Sequence, residues 1–212
     1  MTIDHLDTPI AAEADPSSCA ELLSDRIDRV ERIVIKLRDP QLRAQVELVG
    51  DAIVASLRNG GTIFFLGNGG SAADSAHLAA EFVGRCTRER GPLASVNLAD
   101  SLAIVTALAN DYGYETVFER QVNALVRPGD VVIAMSGSGR SENVLRALRA
   151  ARHIGAVAIG LTGESGGLMA DCADHVLRAP AHEIGRVQEV HKIWGHIWAE
   201  WAEIAVFGSS PS

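Results

Sequence analysis

The sequence predicts an α/β fold: a doubly wound, five-stranded parallel sheet with helices on both faces, two N-terminal helices and a long C-terminal helix. Three observations predict it. Short segments that are apolar throughout alternate with segments of helical periodicity after residue 62, a pattern typical of a parallel sheet covered on both faces. Glycine- and serine-rich turns directly follow two of those apolar segments. The 212 residues also suit a single domain.

The N-terminal part divides into a tail and a helical segment. Residues 1–17 lack hydrophobic periodicity and predict a flexible tail. From residue 18, apolar residues recur at three- and four-residue steps, which predicts a helix. Asp39 and Pro40 then supply the N-cap and first residue of a second helix, which ends at Asn-Gly-Gly, residues 59–61.

The remaining elements alternate along the chain. Strands are predicted at 62–66, 93–98, 130–135, 156–161 and 175–177. Helices are predicted at 71–84, 101–109, 116–126, 142–153 and 183–206. The predicted organisation is therefore a tail (1–17), a helical segment of the same domain (18–61), the domain core with its last helix (62–207) and a short tail (208–212). In such sheets, ligands bind beyond the carboxyl ends of the strands.

Composition excludes several classes of partner. The net charge of −8 argues against nucleic acid or an anionic membrane surface as the main partner. Three cysteines without close spacing predict reduced thiols rather than disulfides or a zinc knuckle. The sequence has no basic segment followed by an apolar core at its start, and no apolar run long enough to span a bilayer. A cytoplasmic protein with no membrane partner is therefore expected.

Two turns at strand ends carry the features of a ligand site. The first, Gly-Asn-Gly-Gly-Ser at 67–71, lets a ligand approach the backbone and the N-terminus of the following helix. The alternative is an ordinary tight turn. The second, Ser-Gly-Ser-Gly-Arg-Ser at 136–141, places three hydroxyls and several amides before a helix, as a phosphomonoester requires. Its alternative is a solvated loop.

Two helices carry titratable side chains at helical spacing. His77, Glu81 and Arg85 lie four residues apart and share one face, where a histidine and a glutamate can act as metal ligands or as an acid–base pair. A surface ion-pair ladder is the alternative. The last helix carries Gln188, His191 and His196 among tryptophans that predict packing into the protein or a subunit interface. His191 is expected to be structural.

In combination, these motifs resemble the sugar isomerase (SIS) domain of the phosphoheptose isomerase family. The resemblance rests on residues 67–74 with His77 and Glu81, on Ala-Asn-Asp-Tyr-Gly at 109–113, on the 136–141 loop, and on residues 186–191 with His196. It covers about residues 22–204. It implies a flavodoxin-like, five-stranded parallel sheet and assembly as a homotetramer.

The resemblance also implies a site. Glu81 would be the catalytic base and His196 its partner acid. The implied substrate-binding residues are Asn68, Gly69, Gly70, Ser71, Glu81, Asn110, Asp111, Ser136, Gly137, Ser138, Ser141 and Gln188. The implied cofactor is zinc, with His77, Glu81, Gln188 and His196 as ligands, although all four residues would also suit acid–base chemistry without a metal.

The implied reaction converts sedoheptulose 7-phosphate to D-glycero-D-manno-heptose 7-phosphate through an enediol. Such an isomerisation moves a proton between C1 and C2, which suits a carboxylate base, and protonates the oxygens, which suits an imidazole. The phosphate does not react, so its binding energy anchors the reacting end. The substrate is therefore expected to be a small phosphosugar.

Three positions depart from the family pattern. Gly137 stands where the family usually has threonine, Arg140 where it usually has asparagine, and Gly185 where some members have aspartate. In addition, Gln188 and His196 lie eight residues apart, about 12 Å along a helix. One metal would be hard to reach from both on a straight helix, so either the helix is distorted or subunits share the site.

Other functions remain as alternatives. SIS folds also serve as sugar-phosphate sensors and as non-catalytic adaptors, including one associated with a replication initiator. That adaptor branch lacks the glutamate and the terminal histidine, whereas this chain has Glu81 and His196. An isomerase for another phosphosugar is a third possibility.

Overall fold

The structure is a computed structural model that describes residues 16–208. Most of the two predicted tails, 1–17 and 208–212, therefore lies outside the described residues. The described chain forms two compact units, one ending at Lys36 and the other beginning at Leu37. This division falls inside the helical segment predicted for 18–61, and the domain boundaries remain a prediction.

The described residues of the first unit form a single helix, α1 (Cys19–Lys36). The Ser18 hydroxyl accepts a hydrogen bond from the Glu21 amide (3.2 Å), as an N-cap does. The helix is amphipathic, and none of its residues is buried.

The second unit holds the sheet and six helices. Helix α2 (Pro40–Arg58) begins where the sequence predicts it, because the Asp39 carboxylate accepts the amides of Gln41 (3.0 Å) and Leu42 (2.9 Å). The strands are β1 (Ile63–Gly67), β2 (Ser95–Asn97), β3 (Val131–Met135), β4 (Val157–Thr162) and β5 (His175–Arg178). The other helices are α3 (Gly70–Val83), α4 (Leu102–Tyr112), α5 (Val117–Leu125), α6 (Glu142–Ile154) and α7 (Ile184–Phe207). Two 3-10 turns span Tyr114–Thr116 and Met169–Asp171.

All five strands are parallel, in the order β2-β1-β3-β4-β5, which confirms the predicted fold class. Alternate residues of each strand face opposite sides of the sheet. Phe64 and Leu66 belong to a core cluster with residues of α5 and α6, such as Val122 and Leu148. On the other face, the Phe65 ring packs 5.7 Å from the Phe82 ring of α3.

The sheet topology places the two predicted ligand loops side by side. Strand β1 lies between β2 and β3, and the chain passes from it to β2 on one side and later to β3 on the other. Gly67, the last residue of β1, pairs in register with Met135, the last residue of β3. The loops 68–70 and 136–141 therefore leave the same edge at a topological switch point, where ligands of such sheets bind.

Two element boundaries differ from the prediction. The strand predicted at 93–98 spans only Ser95–Asn97, at the sheet edge. The helix predicted at 101–109 continues to Tyr112 and ends at Gly113, whose φ of 91° breaks the helical backbone. No helix among residues 16–208 combines the length and the apolar character needed to cross a membrane.

Candidate active site

Helices α3 and α7 lie side by side and run in the same direction. Gln188 contacts Gly70, Gly195 contacts Leu78, and further along both helices the Glu203 carboxylate accepts the Cys86 amide (2.7 Å). The contacts thus advance together along the chain. A Cβ at Gly70 or Gly195 would collide with the opposite helix, so glycine at these positions allows the close approach.

This arrangement brings three candidate residues together within one chain. His77 and Glu81 come from α3, and His196 comes from α7. The Nε2 atoms of His77 and His196 lie 2.8 Å apart, with their rings edge to face. His77 Nε2 lies 3.8 Å from Glu81 Oε1. One ligand atom from each of the three residues falls within 4.8 Å of the others, close enough to hold one metal ion.

Gln188 lies apart from this group. Its carboxamide is against Gly70, the first residue of α3, whereas His77 is seven residues further along that helix, about 10 Å at the usual rise. Helix α7 is continuous from Ile184 to Phe207, so the distortion considered from the sequence is not seen. The described structure therefore places three of the four candidate zinc ligands together and Gln188 near the glycine loop.

One stripe of α7 connects the predicted subsites. Ile184 faces Gly137 of the serine loop, Gln188 faces Gly70, and His196 faces His77. Between them, Lys192 Nζ lies 3.6 Å from Asp74 Oδ1. These α7 residues are four or eight apart and so lie near one face of the helix. The stripe runs from the serine loop, past the glycine loop, to the histidine pair.

The serine loop 136–141 has converging hydroxyls, as its sequence predicts. Ser136 Oγ lies 3.0 Å from Ser141 Oγ and 3.5 Å from Ser138 Oγ. Ser141 is the N-cap residue of α6, yet its hydroxyl makes no capping hydrogen bond. It faces Ser136 instead. Three hydroxyls beside a helix N-terminus are a suitable environment for an anion.

The two loops are joined by a pair of carboxamides that the sequence analysis missed. Asn68 Nδ2 donates to Asn143 Oδ1 (2.9 Å), and Asn143 Nδ2 donates to Asn68 Oδ1 (2.9 Å). The Tyr114 hydroxyl also donates to Asn68 Oδ1 (2.9 Å). Asn143 is 3% exposed. No local pattern distinguishes Asn143 from any polar residue in the first turn of a helix.

Three other predicted substrate residues are placed less favourably. Asn110 and Asp111 lie on the last turn of α4, where both are exposed and Asn110 Nδ2 donates to Asp111 Oδ1 (2.8 Å). Ser71 is buried against Gly67. None of these three side chains forms a hydrogen bond or ion pair with Glu81 or His196, and their binding roles stay predictions.

The Asp74 carboxyl and the Cys86 thiol lie near the candidate site, and their surroundings raise the pKa of both groups. Burial raises the pKa of Asp74, and Lys192 offsets part of that effect. The Oδ2 atom of Asp74 is buried and has no hydrogen-bond partner among the described residues. Burial and the nearby carboxylates of Glu81, Glu200 and Glu203 raise the pKa of Cys86 to about 12, so this thiol stays protonated and is a poor nucleophile or metal ligand.

A buried ion pair fixes the C-terminal end of α3. The Glu203 carboxylate accepts the amides of Cys86, Thr87 and Arg88 and lies 3.2 Å from Arg90 Nε. Burial alone would raise the pKa of Glu203, but these hydrogen bonds and the Arg90 charge hold it below the ordinary value. Arg90 in turn donates to backbone carbonyls of α3, including that of Glu81 (2.7 Å). The segment after Glu81 is therefore anchored to α7.

Known proteins are similar to this chain in sequence and in fold. The family model of the SIS domain matches residues 27–163. A phosphoheptose isomerase from Roseiflexus sp. is 45% identical over 183 residues, covering 85% of this chain and 93% of that relative. A phosphoheptose isomerase from Aquifex aeolicus is 46% identical over 175 residues, covering 82% and 91%.

A solved structure agrees. The phosphoheptose isomerase from Neisseria gonorrhoeae superposes with a TM-score of 0.82 at 34% identity, covering 88% of this chain and 99% of that one. The stretch matched by the SIS family model, residues 27–163, includes both ligand loops and helix α3. This chain therefore belongs to the phosphoheptose isomerase family of SIS-domain proteins.

Proposed function

We propose that this protein is an aldose–ketose isomerase that converts sedoheptulose 7-phosphate to D-glycero-D-manno-heptose 7-phosphate through an enediol. The observation that carries the proposal is the convergence of Glu81 and His196. They are 115 residues apart in sequence, yet their ligand atoms lie within 4.8 Å of each other and of a His77 nitrogen. A carboxylate and an imidazole at one point are the two groups that the reaction needs.

Each group has a distinct role in the proposed mechanism. Glu81 takes a proton from one carbon of the C1–C2 pair and returns it to the other. His196 moves a proton between the two oxygens, because an imidazole nitrogen can both accept and donate a proton. His77, whose Nε2 lies 2.8 Å from His196 Nε2, orients that ring. Positioned acid and base groups each contribute about 10²–10⁴-fold to the rate.

The serine loop would hold the phosphate. The hydroxyls of Ser136, Ser138 and Ser141 converge at the N-terminus of α6. Gly137 offers its backbone in place of the usual threonine hydroxyl. The sugar chain would then extend along α7, past Asn68, Gly69, Gly70 and Gln188 of the neighbouring loop. Because the phosphate does not react, its binding energy is available for orienting C1 and C2.

A zinc ion fits the group formed by His77, Glu81 and His196. Two imidazole nitrogens and one carboxylate oxygen are a common donor set of catalytic zinc sites, which leave one position open. When bound, zinc would occupy the lone pairs of both imidazoles and would supply Lewis-acid polarisation of the substrate oxygens in place of proton transfer by His196. Gln188 lies near Gly70 and is better placed to contact the sugar than this ion.

The proposed assembly is a homotetramer in the cytoplasm. Apolar side chains are exposed on several helices, including Leu102 (74%) on α4 and Trp201 (43%) on α7. A groove of about 660 Å³ between α2 and α7 is lined by apolar residues that include Trp198 and Trp201. Such surfaces mark contacts between subunits. Free thiols at all three cysteines support a reducing compartment.

The test is conversion of sedoheptulose 7-phosphate by the purified protein. Glu81→Gln and His196→Asn should each lower kcat by about 10²–10⁴-fold, because each removes one proton-transfer group. Glu89→Gln and His153→Asn, at exposed positions outside the site, are matched controls and should keep wild-type rates. Tight binding of the sugar phosphate without turnover by the wild-type protein would overturn the proposal.

A further inference from the structure

The carboxamide of Asn68 is held by three hydrogen bonds from two other parts of the chain. Its oxygen accepts from Asn143 Nδ2 and from the Tyr114 hydroxyl, and its nitrogen donates to Asn143 Oδ1, each at 2.9 Å. A carboxamide oxygen has two lone pairs and its nitrogen has two N–H groups. Both lone pairs of Asn68 are therefore occupied, and one N–H is used.

One N–H of Asn68 has no partner among the described residues. Asn68 follows β1 directly and is half-buried, beside the exposed Gly69 and Gly70 of the glycine loop. The fixed orientation of its carboxamide means that this loop offers a donor and no acceptor from that side chain. A ligand oxygen, from a hydroxyl or a carbonyl, is the complement of such a group.

The pair also joins the two loops of the site. Asn143 lies on the first turn of α6, two residues after Ser141 of the serine loop, and is 3% exposed. Its Nδ2 donates a hydrogen bond to Asn68, and its Oδ1 accepts one from Asn68. Buried carboxamides of this kind are held firmly, because leaving a buried polar group without a hydrogen-bond partner is unfavourable. The serine loop and the glycine loop therefore keep one relative position.

We propose that Asn143 and Tyr114 are positioning residues that hold the Asn68 carboxamide so that its remaining N–H binds an oxygen of the sugar chain. This inference rests on the proposed function, and it deepens that function by naming how one polar contact to the sugar is oriented. Neither residue touches the substrate in this account. Both act through Asn68.

Tyr114 provides the sharper test because its side chain is exposed and its replacement does not disturb the core. Tyr114→Phe removes only the hydroxyl that donates to Asn68. Tyr112→Phe is the matched control, since Tyr112 is equally exposed (52% against 51%) but its ring stacks on Arg120. Tyr114→Phe should raise KM for sedoheptulose 7-phosphate by about 3–10-fold, the worth of one hydrogen bond. Its kcat should stay within about twofold, because the contact exists in both ground and transition states.

Asn143→Asp tests the buried partner with little change of shape. A carboxylate cannot donate to Asn68 Oδ1, and it places two oxygens face to face. We expect kcat/KM to fall by about tenfold or more, with a melting temperature and zinc content that show a folded protein. The inference is wrong if Tyr114→Phe and Asn143→Asp are folded and both keep wild-type KM and kcat while Asn68→Ala does not.

Failure of the proposed function would look different. In that case the wild-type protein itself would not isomerise sedoheptulose 7-phosphate. The same variants would then be compared by calorimetric binding of that sugar phosphate. Weaker binding by Tyr114→Phe than by Tyr112→Phe would support the positioning role without the isomerase activity, and equal binding would overturn it.

Discussion

His77 and His196 face each other through their Nε2 atoms at 2.8 Å, across the contact between two parallel helices. Two neutral imidazoles at this distance share one proton, which one ring donates to the lone pair of the other. A metal ion would instead take both lone pairs, together with Glu81. The group therefore suits either a proton relay or a zinc site, and the two uses can be separated by experiment.

Zinc binding is expected to depend on three residues rather than four. His77→Ala and His196→Ala should each weaken zinc binding by about 100-fold or more, since loss of even an outer-shell partner costs 10–100-fold. Gln188→Ala should change it by less than about tenfold, because Gln188 contacts Gly70 instead. Chelator competition and metal analysis give the measurement, with exposed His153→Ala as the control. Equal losses in the histidine and glutamine variants would contradict the three-residue site.

Glu81 and His196 are expected to act within one subunit. Their ligand atoms meet in a single chain, so a mixture of Glu81→Ala and His196→Ala proteins should remain inactive after subunit exchange. A site shared between subunits would restore about a quarter of the sites by random pairing. Exchange is verified with two affinity tags on the same mixture. Recovery near that level would show that the catalytic pair comes from two chains.

The sequence was sufficient to predict that the two candidate ligand loops leave the same edge of the sheet, and the reason is topological. The loops 68–70 and 136–141 each follow an apolar strand, and parallel strands end at one edge. The pairing of Gly67 with Met135 puts them next to each other. The sequence also predicted where α2 begins, because Asp39 caps the first amides of that helix.

Contacts between distant side chains were not predictable in the same way. The Asn68–Asn143 pair and the Asp74–Lys192 pair depend on the register between elements that are far apart in sequence. No local pattern reports that register. It follows here from small residues such as Gly195, which let α3 and α7 approach at one particular offset. The contact of Gln188 with Gly70 has the same origin.

Gly137 is expected to accept the threonine that is usual in the family at small cost. A Cβ at Gly137 would lie 2.7 Å from Ile184 Cδ1, the flexible end of an exposed side chain. Gly137→Thr should therefore change the free energy of unfolding by less than about 1.5 kcal/mol. Its hydroxyl would add a donor to the serine loop and lower KM for the phosphosugar by about 2–10-fold.

Ile184→Ala supplies the control for that substitution. If the contact with Ile184 is the obstacle, Gly137→Thr combined with Ile184→Ala should be as stable as Ile184→Ala alone. Urea unfolding measures both free energies. A loss of several kcal/mol in the double variant would show that the loop backbone, rather than Ile184, excludes a side chain at Gly137.

His191 is expected to make the protein sensitive to acid. Burial lowers the pKa of His191 to about 4, well below its ordinary value near 6.5. Between those two values the unfolded chain takes up a proton that the folded protein refuses, so the free energy of unfolding decreases as pH falls through this range, by up to about 3 kcal/mol.

Replacing the His191 imidazole should make the free energy of unfolding depend less on pH. His191→Leu should show a shallower loss of stability between about pH 6.5 and about pH 4 than the wild-type protein. The exposed His153→Leu is the control and should keep the wild-type slope. Urea unfolding at several pH values gives the slopes. An unchanged slope in His191→Leu would mean that another group controls acid unfolding.

The Arg90–Glu203 pair is expected to be the most costly polar contact to break. Both side chains are buried, with 2% and 0% exposure, so Glu203→Ala would leave an arginine charge without its partner and should cost about 3–5 kcal/mol. Glu203→Gln keeps an acceptor and should cost less, about 1–3 kcal/mol. The exposed Glu200→Gln on the same helix should stay within about 0.5 kcal/mol of wild type.

Glu203, like His191, makes the free energy of unfolding decrease as pH falls. The cause differs, because the fold favours the charged form of Glu203 and the neutral form of His191. The pKa of Glu203 lies below its ordinary value of 4.5 in the folded protein, so its stabilising effect is present above that value and is lost as pH falls through the folded pKa.

Because Arg90 also holds the Glu81 carbonyl, hydrogen exchange at residues 84–92 should quicken in Glu203→Gln. Unchanged exchange there would show that this segment, and with it the backbone of Glu81, is held by other contacts.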